Sequence, residues 1–412
     1  MQICTECSYV PFMTIRSVLI SGAGVAGPTL AYWLARHGFQ PTVVERAQGL
    51  RSSGSPIDVR DPAVSTAEQM GIMPQLRAAG TEVTELCFVN NSGRRVGRIP
   101  MQTTGDSVEL PRFDLATILF EAARDKAEFL FKDSIATLHQ DAGGVDVTFE
   151  QAPSRRFDLV IGADGLHSRT RRLTFGPEGA YVRHMGVWVA TMPVEDLSLD
   201  RHKALLHNSP GRAVALHPGR GKAMAAFMYR GPGDETFDYR NTVDHKHRLI
   251  TAYTGAGWHV PELLQRVRET DDLYFDSVSQ VRLDRWSTGR VALLGDAASC
   301  LSLFGDGSTL AMAGASTLAE ALAATPADHE AAFRRYEREH RRLVAPKQRA
   351  IGQATALLIP SSRFGIATRN AATRLWPLAS GVQPIRRALR QRRAASLTKQ
   401  MSAVQIRLCP PR

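Results

Sequence analysis

Residues 17–46 read SVLISGAGVAGPTLAYWLARHGFQPTVVER, and the order of residue types in this stretch decides the fold. Ser17 to Ser21 is a short apolar strand candidate. Gly22, Gly24 and Gly27 follow it, and Thr29 to His37 has helical pattern that closes at Gly38. Thr42 to Glu45 is a second strand candidate. Strand, glycine turn, helix and strand together open a parallel Rossmann-like sheet. Gly22 allows the tight bend, Gly24 lets backbone approach a pyrophosphate, and Gly27 lets the helix lie against the strand. The N–H groups at the helix start attract phosphate charge. Glu45 stands 18 residues beyond Gly27, where an acid accepts hydrogen bonds from ribose hydroxyls and would repel a 2′-phosphate. By itself this unit does not separate NAD from FAD.

Two later segments make the distinction. Residues 161–169 read IGADGLHSR, and residues 294–298 read LGDAA, with further glycines at 305 and 307. Asp164 and Asp296 each follow a buried strand candidate, at the edge of a doubly wound sheet where ligands lie, and a carboxylate there can accept from flavin ribityl hydroxyls. Either aspartate alone also suits a helix cap. Three such sites in this order point to FAD.

The chain alternates twice between two textures. Residues 63–79 read as a helix. From Val83 the pattern turns to short alternating runs and turns such as Asn90-Asn91-Ser92-Gly93, which suits an antiparallel sheet. Arg112 to Lys126 is helical in pattern, Asp158 to Ile161 is a buried strand, and residues 183–285 are strand-rich. Arg290 to Leu294 is a strand and Thr309 to Ala324 an Ala-rich helix. Residues 328–350 and 365–393 are helical, with Pro384 as an interruption, and the last dozen residues read as disordered. The expected fold class is α/β: a Rossmann-like FAD-binding domain (14–82, 111–182 and 286–327) interleaved with an antiparallel-sheet substrate domain (83–110 and 183–285). C-terminal helices (328–395) and a basic tail (396–412) follow, and residues 1–13 form a dispensable extension.

Composition narrows the function classes. The 412 residues are 43% hydrophobic and 22% charged, an ordinary globular balance. No apolar run approaches the ~18 to 20 residues of a membrane span, and Met1 to Phe12 lacks the features of a secretory signal. The cysteines at 4, 7, 87, 300 and 409 do not form a disulfide framework, so a cytoplasmic location is expected. Cys4 and Cys7 make a CxxC without a second ligand pair, and no metal site is expected. The net charge of +11 is concentrated in residues 334–412, where 18 Arg and Lys face two acids; residues 1–333 are mildly acidic. No nucleic-acid motif accompanies that charge. A hydrolase would need a GxSxG elbow, which is absent. Gly255-Ala256-Gly257 lacks a third glycine and a following helical pattern, so no second nucleotide turn is expected.

GAGVAG at 22–27 with Glu45-Arg46, GADGLHSRTR at 162–171, GDAA at 295–298 and LPRFDL at 110–115 are together similar to the class A flavoprotein monooxygenases of the aromatic-hydroxylase type. These include tetracycline-modifying and polyketide-tailoring enzymes, and the resemblance runs from about Ile15 to about Leu378. It implies FAD held by Gly22, Gly24, Gly27, Glu45, Arg112 and Asp296, with Arg46, Gly295, Gly305 and Gly307 in the same motifs. Asp164 lies in a motif associated with both FAD and reduced nicotinamide. Arg51 and Asp58 resemble positions touching NADPH and FAD respectively. The implied chemistry uses NADPH or NADH as transient reductant and O₂, through a flavin C4a-hydroperoxide, to oxygenate a small aromatic or polyketide-like substrate. No protein nucleophile is then expected. Phe88, Trp188, Phe227, Met228 and Tyr229 are candidates for the pocket lining, and a monomer or homodimer is expected.

One departure stands out. The prolines common after GDAA in the family are absent from residues 299–307, which read SCLSLFGDG. Proline fixes φ, so their loss changes how rigidly this loop meets the flavin. Two alternatives therefore stay open: a flavin-dependent dehydrogenase or reductase, and a protein whose structural FAD helps bind and shape a metabolite without redox turnover. A flavin halogenase would carry a WxW pair, which is missing.

Overall fold

The computed structural model describes residues 15–50, 56–101, 105–195, 197–219, 222–234, 236–301 and 306–380, with side chains to 374. From the amino end come β1 (Ser17–Ser21), α1 (Ala26–Arg36), β2 (Gln40–Glu45), β3 (Ile57–Val59), α2 (Ala63–Met70) and α3 (Met73–Ala79). Next are β4 (Glu85–Val89), β5 (Arg95–Pro100), β6 (Val108–Leu110), α4 (Arg112–Ala123), β7 (Glu128–Phe131), β8 (Ile135–Gln140), β9 (Val145–Phe149), β10 (Arg155–Phe157), β11 (Leu159–Gly162) and α5 (Arg169–Phe175). The middle of the chain forms β12 (Val182–Val194), β13 (Lys203–Ser209), β14 (Arg212–His217), β15 (Ala223–Arg230), α6 (Thr242–Tyr253), α7 (Val260–Glu269) and β16 (Tyr274–Val281). It closes with β17 (Ser287–Thr288), β18 (Val291–Leu293), α8 (Asp296–Ser299), α9 (Asp306–Ala324), α10 (His329–Leu358) and α11 (Arg363–Ser380).

The first sheet has the order β17-β18-β11-β1-β2-β7, parallel except for the β17–β18 edge. Its strands are apolar on both faces because both faces are covered. Val18, Ile20 and Val43 meet the helices, with Leu30 and Leu34 of α1 and Leu318 of α9 in the same core. Leu19, Val44 and Val160 point the other way, onto Val145, Val147 and Phe157. The second cover is therefore the antiparallel meander β8-β9-β10. Nothing in the sequence reading assigned these strands: they are short, and their outward residues are polar.

The second sheet has the order β16-β12-β15-β14-β13-β4-β5. It is antiparallel apart from one parallel pair, β13 with β4, which joins the two stretches of chain that build it. One face buries Trp188, Phe227 and Phe275 against Leu249 and Tyr253 of α6 and Leu263 and Val267 of α7. These two helices correct the expectation of an unbroken strand-rich stretch over 183–285. Asn241 caps α6 by accepting from Asp244 N, and Gly255 to Gly257 connect α6 to α7. A helix does follow that glycine pair, contrary to expectation, but a helix and not a strand precedes it.

Other boundaries shift for local reasons. The helix expected over 63–79 is two, broken at Gly71, whose φ of 75° is left-handed. α9 starts three residues before Thr309, and α10 continues past 350 to Leu358. Residues 381–393, the basic tail and the amino-terminal extension lie outside the described residues. No helix among those described is long and apolar enough to cross a membrane.

α9 and α10 meet where Gly314 faces His340: a Cβ on Gly314 would lie 2.9 Å from Nε2 of His340. His340 is buried, stacks on Tyr336 at 5.8 Å, and has no hydrogen-bond partner for either ring nitrogen among the described residues. Burial pulls its pKa down to about 4, from 6.5 in the unfolded chain. The unfolded chain thus binds this proton first, and stability falls as pH drops from about 6.5 towards 4. His340→Leu is expected to blunt that loss by on the order of 2 kcal/mol, read as unfolding free energies of both proteins at pH 7 and pH 5. A constant difference between them at both pH values would show that His340 is not the acid-sensitive group.

Candidate functional site

The parallel register sets the site. Ser21 pairs with Gly162 and Gly162 with Leu293, so β1, β11 and β18 end side by side, with β2 alongside β1. Glu45, Gly22, Asp164 and Asp296, far apart in sequence, therefore line one carboxyl edge of one sheet.

At the first turn Gly22 has φ 108°, and a Cβ there would sit 2.5 Å from the Ala163 carbonyl oxygen. At Gly27 a Cβ would lie 1.9 Å from the Gly22 carbonyl oxygen, so helix and turn touch with only hydrogen between them. Gly24 is exposed and a Cβ on it would meet nothing within 4 Å. The start of α1 carries no acid and no side-chain cap. This is a cradle with free N–H groups, which fits a pyrophosphate. Glu45 braces it: Oε2 accepts from Ala23 N at 2.9 Å and Oε1 from Ala47 N at 2.8 Å. Each oxygen keeps a second lone pair for a ribose hydroxyl.

Asp164 turns inward. Oδ1 accepts from Ser168 Oγ at 2.5 Å, and Oδ2 from Thr170 N at 2.8 Å, Thr170 Oγ1 at 2.9 Å and Ser21 Oγ at 3.4 Å. Its carboxylate fastens β1 to the start of α5. Arg171, buried and unflagged by the sequence reading, extends the fastening: Nη1 donates to Ala297 O at 3.0 Å and Nη2 to Leu166 O at 2.5 Å. One guanidinium thus ties the loop after β11 to α8.

Asp296 opens α8 behind Gly295, whose φ is 62°. Burial pushes its carboxyl pKa up, and the Arg112 charge opposes the shift. Arg112, the first residue of α4, is exposed and makes no hydrogen bond or ion pair among the described residues. A Cβ on Gly307 would lie 3.8 Å from Asp296 Oδ1. Asp58 on β3 joins this end through its backbone, its carbonyl accepting from Ser308 Oγ at 2.8 Å and Thr309 Oγ1 at 3.1 Å. Burial raises the Asp58 carboxyl, with Arg60 opposing at 2.7 Å. Arg112, Asp296, Gly307 and Asp58 therefore gather at one end of the edge, with Gly22, Gly24 and Glu45 along it. Arg51 and Gly305 lie outside the described residues, as do residues 302–304 of the proline-free loop.

Arg46 leads to a cluster that the sequence did not reveal. Its Nη1 donates to the Tyr239 hydroxyl at 3.3 Å, and Arg240 Nε donates to the same oxygen at 3.2 Å. The Tyr239 ring stacks on His167, 4.0 Å between centroids and 4° from parallel. His167 faces two carboxylates, Glu178 Oε1 at 2.8 Å and Asp276 Oδ2 at 3.1 Å. Burial works against the charged imidazole, but these hydrogen bonds outweigh it and hold the pKa up at about 9. His167 lay in plain view inside GADGLHSRTR; its partners on other elements did not.

Asp276 also fixes which face of the second sheet meets the first domain. It pairs with Val189, and Val189 with Met228, so these three share a face. By the same register Ala215, His217, Met224 and Ala226 lie on it. At its other side His217 Nε2 lies 2.7 Å from Glu109 Oε1 on β6. Burial would raise the Glu109 carboxyl, but His217 and Thr81 bring it below the ordinary range. Between these two polar ties Val189, Ala215, Met224 and Ala226 form an apolar, half-buried strip. Of the five proposed lining residues, Phe88 and Met228 belong to this side. Trp188, Phe227 and Tyr229 do not: β-strand alternation turns them to the opposite face, under α6 and α7.

Residues 16–348 match a protein family described as an FAD binding domain. The chain belongs to the class A FAD-dependent monooxygenases. This monooxygenase is 41% identical over 342 residues to an uncharacterized protein of Mycobacterium tuberculosis, covering 81% of the chain and 92% of that relative. It is 34% identical over 338 residues to a flavin-dependent monooxygenase of Legionella longbeachae, covering 81% and 87%. Among solved structures it is similar to the tetracycline destructase Tet(51), with TM-score 0.78 and 29% identity over 87% of this chain and 95% of that one. Tet(55) gives TM-score 0.74 and 33% identity over 88% and 95%.

The glycine geometry separates binding from folding. Gly24→Val is expected to leave a folded protein with FAD occupancy reduced about tenfold or more, whereas Gly27→Ala is expected to abolish soluble protein, because its methyl overlaps the Gly22 carbonyl. Flavin absorbance per mole of purified chain reads the first and soluble yield the second. Full occupancy in Gly24→Val would move the pyrophosphate away from this turn.

Proposed function

We propose that this FAD-dependent monooxygenase takes reducing equivalents from NADPH or NADH and inserts one oxygen atom from O₂ into a small aromatic or polyketide-like substrate held on the β12–β14–β15 face. The observation that carries this reading is the half-buried apolar strip Val189, Ala215, Met224 and Ala226, framed by the Asp276–His167 and His217–Glu109 contacts. Its likeness to tetracycline destructases supports a flat, ring-built substrate.

Bound FAD supplies hydride acceptance and oxygen activation. Residues of the chain hold and shield it. Gly22 to Gly27 and α1 would hold the pyrophosphate, Glu45 the ribose, and Arg112 with Asp296 the flavin end. The apolar strip excludes water and lets a ring lie flat, and the His217–Glu109 pair offers a polar foothold at its border. Arg46, Tyr239 and Arg240 present two guanidinium groups around one aromatic ring beside the glycine turn. That surface suits the phosphates of a transient nicotinamide nucleotide.

Two measurements test the reading. Purified FAD-loaded protein, given each nicotinamide in turn with candidate aromatic and polyketide compounds, is expected to consume O₂ in a substrate-stimulated manner and to yield a product heavier by one oxygen. Failure of both nicotinamides to bleach the flavin with every candidate would sink the proposal. Arg46→Ala is expected to raise KM for the nicotinamide about tenfold, with FAD content unchanged; an unaltered KM removes Arg46 from the reductant site.

A further inference from the structure

Away from the flavin edge, a cleft of about 420 Å³ opens between the β4–β5 turn, the end of β13 and α11. Asn90, Asn91, His207, Asn208, Arg369 and Asn370 line it, and it shares no residue with the site above. Arg369 is only 6% exposed. Its guanidinium lies 3.8 Å over the Phe88 ring. Nε and Nη2 donate to Asn370 Oδ1 at 3.1 and 2.8 Å, and Nη1 donates to Asn208 Oδ1 at 2.7 Å and Leu357 O at 3.3 Å. Every one of these acceptors is neutral. Burial pulls the Arg369 pKa down to about 10, with no carboxylate among the described residues to oppose it. A buried guanidinium ordinarily has an anionic partner, because removing its charge from water is costly.

The polar groups around it are donors left over. Asn90 Oδ1 already accepts from Ser92 N, Ser92 Oγ and Arg94 N. Asn91 Oδ1 is taken by His207 Nε2 at 2.7 Å, and Asn370 Oδ1 by Arg369 itself. Because an amide oxygen can only accept, His207 donates from Nε2–H, and burial holds its pKa below the ordinary imidazole range, so the ring adds no charge. With three amide oxygens spent, the NH₂ groups of Asn90, Asn91 and Asn370 are uncommitted among the described residues. Such a wall, rich in N–H and built around an unneutralised cation, is complementary to an oxyanion and to little else.

We propose that this cleft binds the carboxylate or phosphate group of a small metabolite against Arg369, at a site apart from FAD and from the strip Val189, Ala215, Met224 and Ala226, toward the β4–β5 end of the second sheet. The bound group neutralises the buried charge and holds α11 on the edge of the second sheet.

The test uses FAD-saturated protein titrated with inorganic phosphate and with acetate, each against chloride at equal ionic strength, read by thermal unfolding and calorimetry. At least one oxyanion is expected to give a saturable rise in Tm; which one does so tells phosphate from carboxylate. Arg369→Met, which keeps a stem on Phe88, is expected to weaken that binding at least tenfold, while Arg46→Ala keeps it. Asn370→Asp places a carboxylate on the atoms that Arg369 already contacts, so it is expected to raise Tm without ligand and to remove the response. The proposal is overturned if neither oxyanion acts beyond chloride, or if Arg369→Met or Asn370→Asp responds as the parent does. Should Arg369→Met fail to fold, Asn370→Asp decides alone.

Discussion

Helix α1 touches the turn that precedes it so closely that only hydrogen fits between Gly27 and the Gly22 carbonyl, and the rest of the site depends on that contact. It sets how near the first helical N–H groups come to the sheet edge, and so where a pyrophosphate can lie. Gly22 in turn lies under the Ala163 carbonyl, which brings the loop after β11 against the glycine turn. Asp164 and Arg171 then lock that loop to β1 on one side and to α8 on the other. The binding edge is one mechanical unit assembled from three distant motifs.

A different logic builds the second sheet. The second sheet has one face closed by α6 and α7; its other face is tied through hydrogen-bonded charged groups to His167 and to Glu109 on β6, while Val281 of β16 enters the apolar core of the first sheet. Polar ties of this kind fix orientation while leaving the strip between them unfilled. Tyr239 adds a third tie, from the chain after β15 to Arg46 after β2 and to His167.

How much of this was legible in the sequence follows from how local each signal is. The glycine turn with Glu45, the GADG segment and the GDAA segment are each a short local run of sequence, and parallel-sheet topology alone brings their ends together, so FAD binding and the family could be read directly. The contacts of His167 with Asp276, Glu109 with His217 and Arg46 with Tyr239 each join residues more than 100 positions apart. No local periodicity announces such pairs. The misplacement of Trp188, Phe227 and Tyr229 has the same root: alternation shows that neighbours face opposite ways, but not which way is inward. By contrast α6 and α7 did carry a signal, in His245, Leu249 and Tyr253 and in Val260, Leu263, Leu264 and Val267 at helical spacing. Their surroundings of strands and turns masked it.

The pairing of β11 with β1 and of β18 with β11 has a consequence for how the protein is made. Asp158 reaches back 141 residues to Ser17, and Leu294 N donates to Gly162 O across a still later stretch of chain. β4 and β5 likewise stay unpaired to the second sheet until β13 has been synthesised. Neither sheet is a continuous length of polypeptide: the second is complete only with β16 and the first only with β18, so both wait for the later part of the chain to leave the ribosome. The carboxyl edge of the first sheet gains Asp296 only after nearly three quarters of the sequence exists, and pairings this far apart in sequence are slow to close.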